Sequence, residues 1–127
     1  MRRQIIAGAL AAATLLGVAA PALAQGQSCF FVNQWQGWKA ANDHTVYLSI
    51  SGSQRIYRLD MSTSCPALLD PSAILVTDSH TDSICSALDM NPLRVSEGHG
   101  MVTGCIVSKM TQLTPEQAAA LPSKLRP

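Results

Sequence analysis

The sequence predicts a small, mainly β domain: an antiparallel barrel or sandwich, stabilised by disulfides, with a short C-terminal helix. Three observations predict this fold class. Apolar residues alternate with polar ones in several short runs, which is the period of a strand with one buried face. Turn-forming residues separate these runs at intervals of roughly 8–12 residues, as in small sandwiches and barrels. Four cysteines in a short exported chain are typical of a disulfide framework.

The N-terminus has the three parts of a cleaved signal peptide. Two positively charged residues, Arg2 and Arg3, precede an apolar run from Ile5 to Ala20, and an Ala-x-Ala motif ends at Ala24. We therefore expect a signal peptide over residues 1–24 and a single small β domain over residues 25–127. The apolar run is shorter than the ~20 residues of a spanning helix, so we expect no membrane insertion after cleavage.

The export route and compartment follow from the same segment. Arg2-Arg3 resembles a twin-arginine signal, but that route exports proteins folded in a reducing cytosol, where disulfides rarely form. Four cysteines in the mature part favour the general secretory route. The sequence therefore predicts a periplasmic or secreted protein.

The charge of the mature chain excludes some partners. Without Arg2 and Arg3, seven bases remain against eight acids, a net charge of −1. No basic stripe is present in the sequence to follow a phosphate backbone, and no polybasic segment to hold a membrane surface. We expect a monomer that binds no nucleic acid.

The cysteines favour disulfides over a metal site. Cys29, Cys65, Cys85 and Cys105 are widely spaced, whereas zinc sites and redox enzymes favour Cys-x-x-Cys pairs. Four cysteines allow three pairings, and the sequence does not choose among them. We expect Cys29 to pair with Cys105, joining the opening strand to the last, and Cys65 with Cys85.

A β-hairpin is the clearest single element. Val46, Leu48 and Ile50 alternate with polar residues, and the turn at residues 51–54 follows them. A second alternating run then contains Tyr57, Leu59 and Met61. Arg58 and Asp60 lie on the polar face of that second strand, where they can pair.

The rest of the chain gives shorter elements. Strands are expected at residues 73–77, 83–88 and 93–96, and Met101 to Met110 is expected to form a strand pair or one kinked strand. In that last segment we expect a bend at Gly104 and core positions for Cys105, Ile106 and Val107. Thr114-Pro115-Glu116-Gln117 is a capping box that begins a short helix, which ends before Pro122.

Several short motifs follow one another along the mature chain. They are Cys29-Phe30, Gly37-Trp38, Asp43-x-Thr45-Val46-Tyr47-Leu48, Tyr57-Arg58-Leu59-Asp60, Cys65-Pro66, Cys85, Leu88-Asp89, Cys105 and Leu113-Thr114-Pro115-Glu116. On these motifs the chain resembles an uncharacterised family of small exported bacterial four-cysteine proteins, a domain of unknown function. The resemblance implies an envelope location and a cysteine-stabilised fold. It implies no activity.

The sequence contains no coherent catalytic or cofactor motif. Asp78, His80 and Asp82 alternate and could form a weak metal site, but a solvated turn is the expected interpretation. No nucleophile elbow, phosphate loop or dinucleotide motif is present, although a Ser–His–Asp triad could assemble in space. We expect no metal, no cofactor and, on balance, no enzyme.

Two residues are candidates for partner binding. Trp35 stands between two glutamines and is expected to be more exposed than Trp38 or Phe30, which we assign to the core. Arg58 is the second candidate. We expect a non-catalytic binding or accessory protein of the bacterial cell envelope, acting on an unidentified envelope protein. The alternatives are a small periplasmic hydrolase inhibitor, or a small enzyme or ligand carrier with a spatially assembled site around His80 or Arg58.

Overall fold

Several of the strands lie where the sequence alternates. A computed structural model of the protein describes residues 29–52, 54–78 and 82–127. In chain order the elements are β1 (Phe30–Phe31), β2 (Trp35–Ala40), β3 (Thr45–Ile50), β4 (Arg55–Met61), β5 (Ile74–Thr77), β6 (Ser83–Ile84), α1 (Ala87–Met90), β7 (Leu93–Ser96), β8 (Val102–Cys105), β9 (Val107–Gln112) and α2 (Pro115–Ala119). Short 3-10 turns occur at Val32–Gln34, Pro66–Leu69 and Ser123–Leu125. The strands predicted at residues 73–77 and 93–96 are confirmed as β5 and β7.

The strands form two larger antiparallel sheets and one small pair. The four-stranded sheet has the order β2-β3-β4-β9, the three-stranded sheet has the order β5-β7-β8, and β1 pairs with β6. Both larger sheets contribute their inner side chains to one core, and β1 and β6 add Phe30 and Ile84 to it. The described strands make a sandwich-like arrangement and no closed barrel. The mainly β prediction is confirmed.

The β3–β4 hairpin forms as the alternating pattern predicts. Leu48 lies opposite Tyr57, and Tyr47 lies opposite Arg58. All the predicted inward residues are buried, namely Val46, Leu48, Ile50, Tyr57, Leu59 and Met61. On the outer face, the guanidinium of Arg58 contacts Asp60 Oδ1 at 2.9 Å. An exposed pair of this kind stabilises the fold by at most about 1 kcal/mol, so the core side chains hold the hairpin.

Strand β2 departs from simple alternation because it contains a bulge. Trp35 lies opposite Ile50 and Trp38 lies opposite Leu48, with a register shift between Trp35 and Gly37. Opposed residues share a face of the sheet, so both tryptophans point inward although three positions separate them. A Cβ at Gly37 would stand 3.3 Å from a side-chain oxygen of β3, so the site favours glycine.

The chain passes from one sheet to the other between β8 and β9, and only Ile106 separates these strands. Cys105 and Val107 are buried as predicted, but Ile106 is 49% exposed. The core prediction for Ile106 is therefore wrong. Successive residues of an extended chain point to opposite sides, so a residue between two buried neighbours faces solvent.

Asn91 pairs with the beginning of β9. Its side-chain amide donates to the carbonyl oxygen of Val107 at 2.9 Å, and its Oδ1 accepts from the N–H of Val107 at 2.7 Å. These two bonds resemble those of a neighbouring strand. They satisfy both backbone groups of a buried residue, which would otherwise lack partners where the chain changes sheets.

The predicted C-terminal helix is confirmed as α2. The structure also contains a helix that was not predicted, α1. At α2, the N–H of Gln117 donates to Thr114 Oγ1 at 3.2 Å and the N–H of Thr114 donates to Gln117 Oε1 at 2.9 Å. The strand expected at residues 83–88 is shorter, because β6 ends at Ile84 and α1 follows. Asp89 Oδ2 accepts hydrogen bonds from the N–H and the hydroxyl of Ser86, and these bonds stabilise the helical turn.

The structure confirms two disulfides but corrects their pairing. Cys29 pairs with Cys85, and Cys65 pairs with Cys105. The expected pairs were wrong because β1 lies beside β6 rather than beside the last strand, which brings Cys29 next to Cys85. Cys65 and Cys105 are both buried in the core.

The predicted signal peptide, residues 1–24, lies outside the described residues. Within the described residues, no helix has the length and apolar character to cross a bilayer.

Candidate functional site

An apolar groove lies between β2 and β5, the edge strands of the two larger sheets. Its volume is about 340 Å³. The side chains that line it include Val32, Trp35, Trp38, Ile74, Val76 and Thr77. The fold brings these residues together from the N-terminal and central parts of the chain. We refer to this surface as the β2–β5 groove.

Strand β5 exposes apolar side chains that a sheet normally buries. Ile74 is 62% exposed and Val76 is 47% exposed, whereas Leu75 between them is buried. Exposed apolar area costs about 25 cal/mol per Å² relative to burial, so a contiguous exposed patch is typical of a binding surface. The sequence indicates this feature, because three consecutive residues of β5 are apolar on a strand that has only one buried face.

Both strands of the groove are at the edges of their sheets. In the strand orders β2-β3-β4-β9 and β5-β7-β8, each is hydrogen-bonded to one neighbour among the described strands. An edge strand presents unpaired N–H and C=O groups to an incoming extended chain. The groove therefore combines apolar pockets with backbone hydrogen-bonding groups, which are the two components of peptide recognition by strand addition.

The structure separates the aromatic residues that the sequence places near the N-terminus. Phe30 is buried and packs on Tyr57, with ring centroids 4.9 Å apart, as expected for a core residue. Phe31 is exposed, and Tyr47 faces outward from the four-stranded sheet. Trp35 and Trp38 are both partly buried against the core, and both line the groove. The location of Trp35 is compatible with partner binding, and its role stays a prediction.

Arg58, the other predicted contact residue, lies away from the groove. Its side chain is 46% exposed on the outer face of the four-stranded sheet and is paired with Asp60. A second cleft, of about 460 Å³, opens on the same face beside Pro127. Gly37, Ser49 and Ile56 are among its lining residues, and none of the described side chains that line it is ionisable.

Ser64, His44 and Asp43 come together, but their hydrogen bonds are not arranged as in a catalytic triad. Asp43 Oδ1 contacts His44 Nδ1 at 2.8 Å, and Asp43 Oδ2 accepts a hydrogen bond from Ser64 Oγ. These bonds lower the pKa of Asp43, that from Ser64 having the larger effect. In a catalytic triad the serine hydroxyl bonds to the imidazole, not to the carboxylate. The carboxylate here joins the loop between β2 and β3 to the segment before Cys65.

A second polar cluster joins two turns. His99 Nε2 lies 3.3 Å from Glu97 Oε2, and His99 Nδ1 lies 3.9 Å from Asp70 Oδ2. Hydrogen bonds from the hydroxyl and N–H of Ser72 lower the pKa of Asp70. A Cβ at Gly98 would stand 2.1 Å from Ser72 Oγ, which shows how closely the two turns approach. The cluster fixes loop geometry.

The metal hypothesis at Asp78, His80 and Asp82 has no structural support in the described residues. His80 lies outside the described residues, and Asp78 forms an ion pair with Arg94. Within the described residues, no group of three His, Cys, Asp or Glu side chains has the geometry to hold a metal ion.

Comparisons with known proteins identify the family and nothing closer. No curated protein and no solved structure matches the chain. The model of one family, described as a family of unknown function, DUF6491, matches residues 1–127. The four cysteines and the short motifs around them also indicate a family of this kind. The chain belongs to the family of unknown function DUF6491.

Proposed function

We propose that the mature domain is a non-catalytic binding module of the bacterial cell envelope. Its β2–β5 groove holds an extended, apolar segment of a partner envelope protein. The observation that carries this proposal is the exposure of Ile74 and Val76 on an edge strand, directly beside two tryptophans. Trp side chains are frequent anchors of protein interfaces because they bury a large area with few rotatable bonds.

The chemistry of the groove defines the partner segment. Side chains of an added strand alternate, so every second residue would enter the groove and the others would face solvent. We therefore expect a segment with apolar residues at alternate positions, bonded by its backbone to β5 or β2. Proline within the segment would remove a ladder hydrogen bond and weaken binding.

Export to the periplasm or the medium through the general secretory route is part of the proposal. The signal-peptide features and the two disulfides support it, since disulfides form in oxidising compartments. Protein purified from the envelope of its own cells should have the mass of residues 25–127 less four hydrogens. A mass that includes residues 1–24 would contradict processing.

Tryptophan fluorescence can test the binding function directly. The chain has two tryptophans, and both line the groove. The probe is a short synthetic peptide of alternating valine and threonine with lysine at each end. We expect a saturable blue shift on titration, because the peptide would cover the indole rings. The same peptide with its central residue replaced by proline should give a much weaker response.

Two valine variants provide the matched comparison. Val76→Lys places a charge in the groove, whereas Val102→Lys places one on β8, at the opposite edge of the same sheet. The two side chains are 47% and 56% exposed, so neither change should unfold the protein. We expect the first variant to lose the fluorescence response and the second to keep it. An equal response in both variants, or no response in the unmodified protein, would refute the groove as the binding site.

A further inference from the structure

A row of polar side chains crosses the outer face of the four-stranded sheet. Lys39 lies opposite Tyr47, Tyr47 lies opposite Arg58, and Arg58 lies opposite Thr111. Adjacent strands are about 4.8 Å apart, so the row extends across roughly 14 Å. Its two cations stand on either side of one aromatic ring. This face is separate from the β2–β5 groove, so a ligand bound here would be independent of the proposed function.

The surroundings of the row add positive charge. Lys109 lies opposite Asp60 in the next register position on the outer face. The turn that carries Lys124 packs against β2. Asp60 is the single acid in the register positions named here, and it pairs with Arg58 Nε and Nη2 through one carboxylate oxygen. A guanidinium has five N–H donors, so this pair leaves Arg58 with donors for an acidic ligand.

Most acids of the chain lie in a segment that contributes no strand to the four-stranded sheet. The segment from Asp70 to Glu97, which includes β5, α1 and β7, contains five of the eight acids of the chain and one base, Arg94. The net charge of −1 for residues 25–127, with seven bases and eight acids, therefore combines a basic sheet face with an acidic central segment. Charge separation of this kind produces a field that attracts acidic ligands to the basic face.

The positions of the exposed apolar residues distinguish a membrane surface from other acidic ligands. A domain that binds a bilayer combines basic residues with apolar side chains that enter the membrane. None of the large apolar side chains that are exposed in the described residues lies in the row. They are Phe31, Leu69, Ile74, Val76, Leu88, Met101, Val102 and Ile106. The row instead offers a hydroxyl at Thr111 and a partly buried tyrosine.

We infer that this face binds an acidic polysaccharide. Tyr47 would pack against the apolar face of a sugar ring, while Lys39 and Arg58 would bind acidic groups on its two sides. Lys109 extends the site along β9. The charge of the face is complementary to a chain of carboxylate-bearing sugars.

Affinity chromatography and equilibrium binding to alginate, a polymer of sugar carboxylates, test this inference. Neutral dextran is the control polymer, and phosphatidylglycerol vesicles test the membrane alternative. We expect the purified mature protein to bind alginate and to be released by about 0.5 M salt, where charge interactions are screened within a few Å. It should not bind dextran or the vesicles.

A charge variant and its matched control locate the site. In K39Q/R58Q/K109Q, affinity for alginate should fall by about tenfold, since three exposed charge contacts are lost. R94Q should keep the affinity, although Arg94 is also an exposed arginine paired with an aspartate. Circular dichroism checks folding, and K39Q alone should still reduce affinity if the triple variant unfolds. Equal losses in the triple variant and R94Q, binding to vesicles instead of alginate, or no alginate binding by the unmodified protein would each overturn the inference.

Discussion

The two larger sheets share one core but have different outer faces. The four-stranded sheet faces outward with lysine, tyrosine, arginine and threonine in one row, and the C-terminal turn Ser123–Leu125 packs on its edge strand β2. The three-stranded sheet exposes Ile74 and Val76 on β5 and Val102 on β8. A sandwich needs only its inner faces to be apolar, so the exposed apolar residues on β5 and β8 are not explained by folding.

The difference between the two outer faces indicates where to look for a binding function in a small domain without a catalytic motif. In β3, alternation is complete, and the strand has one inner and one outer face. In β5 the apolar run Ile74-Leu75-Val76 continues across both faces. Apolar residues beyond those that the core requires therefore indicate the β2–β5 groove. The concentration of positive charge indicates the outer face of the four-stranded sheet.

The largest effect should come from the disulfide that links the two sheets. Cys65 follows β4, and Cys105 ends β8, at a sequence separation of 40. Replacing both by alanine should lower the free energy of unfolding by about 4 kcal/mol on the loop-entropy model. Because both side chains are buried, a cavity adds to that loss. Denaturant unfolding measures the effect.

The second disulfide provides the comparison. C29A/C85A opens a loop whose ends are separated by 56 positions in the sequence, so the entropic loss is similar, but Cys29 is exposed and Cys85 is only partly buried. This variant should therefore be the more stable of the two. Mass spectrometry of each variant should show the remaining disulfide unchanged. A greater loss in C29A/C85A would contradict the claim that the buried disulfide fastens the two sheets.

A smaller effect is expected at the strand crossing. Asn91→Ala removes both hydrogen bonds to the backbone of Val107 and should cost about 2 kcal/mol, since buried backbone groups lose their partners. Asn33→Ala, on the exposed turn before β2, should cost much less. Equal unfolding midpoints for the two variants would show that Asn91 does not hold the crossing.

Acid should weaken the fold partly through the helix α1. The N–H of Cys85, followed by the groups of Ser86, lowers the pKa of Asp89 in the folded protein. A carboxyl whose folded pKa is lowered contributes its stability above the unfolded value, about pH 4, and loses it as the pH falls through the folded value. Asp89→Asn should therefore make the decline in stability below pH 4 shallower than in the unmodified protein. An unchanged decline in urea unfolding across that range would contradict this role.

The smallest effects are expected for the two exposed arginine pairs. Arg58→Gln and Arg94→Gln should each change the free energy of unfolding by less than about 1 kcal/mol, because exposed ion pairs contribute little. Thermal unfolding measures both. A large loss in Arg58→Gln would mean that the outer row serves stability, and binding data for that variant would then need a different interpretation.

Local patterns predicted the elements that depend on local chemistry. The hairpin β3–β4 and the cap of α2 were predicted because alternation and the Thr114 capping box are encoded within a few residues. Strand β2 was not predicted, since a bulge places Trp35 and Trp38 on one face at a spacing of three. Helix α1 was not predicted because its cap, Ser86 and Asp89, stands in a run that is also compatible with a strand.

Long-range pairing accounts for the other errors. The expected disulfides assumed that the opening strand lies next to the last strand. Instead β1 pairs with β6, and nothing near Cys29 in the sequence specifies that neighbour. The β2–β5 groove depends on the same kind of information, because its two walls come from distant segments. Trp35 was predicted as a contact residue, whereas Ile74 and Val76 were not.

Site-specific photocrosslinking in intact cells tests the binding function most directly. A photoreactive residue is placed at position 76 in the groove and, in a separate variant, at position 102 on the opposite edge of the sheet. We predict one discrete crosslinked product from position 76, attached to an envelope-protein segment with alternating apolar residues, and no such product from position 102. The same products from both positions, or none from position 76, would contradict the assignment of the groove as the binding site.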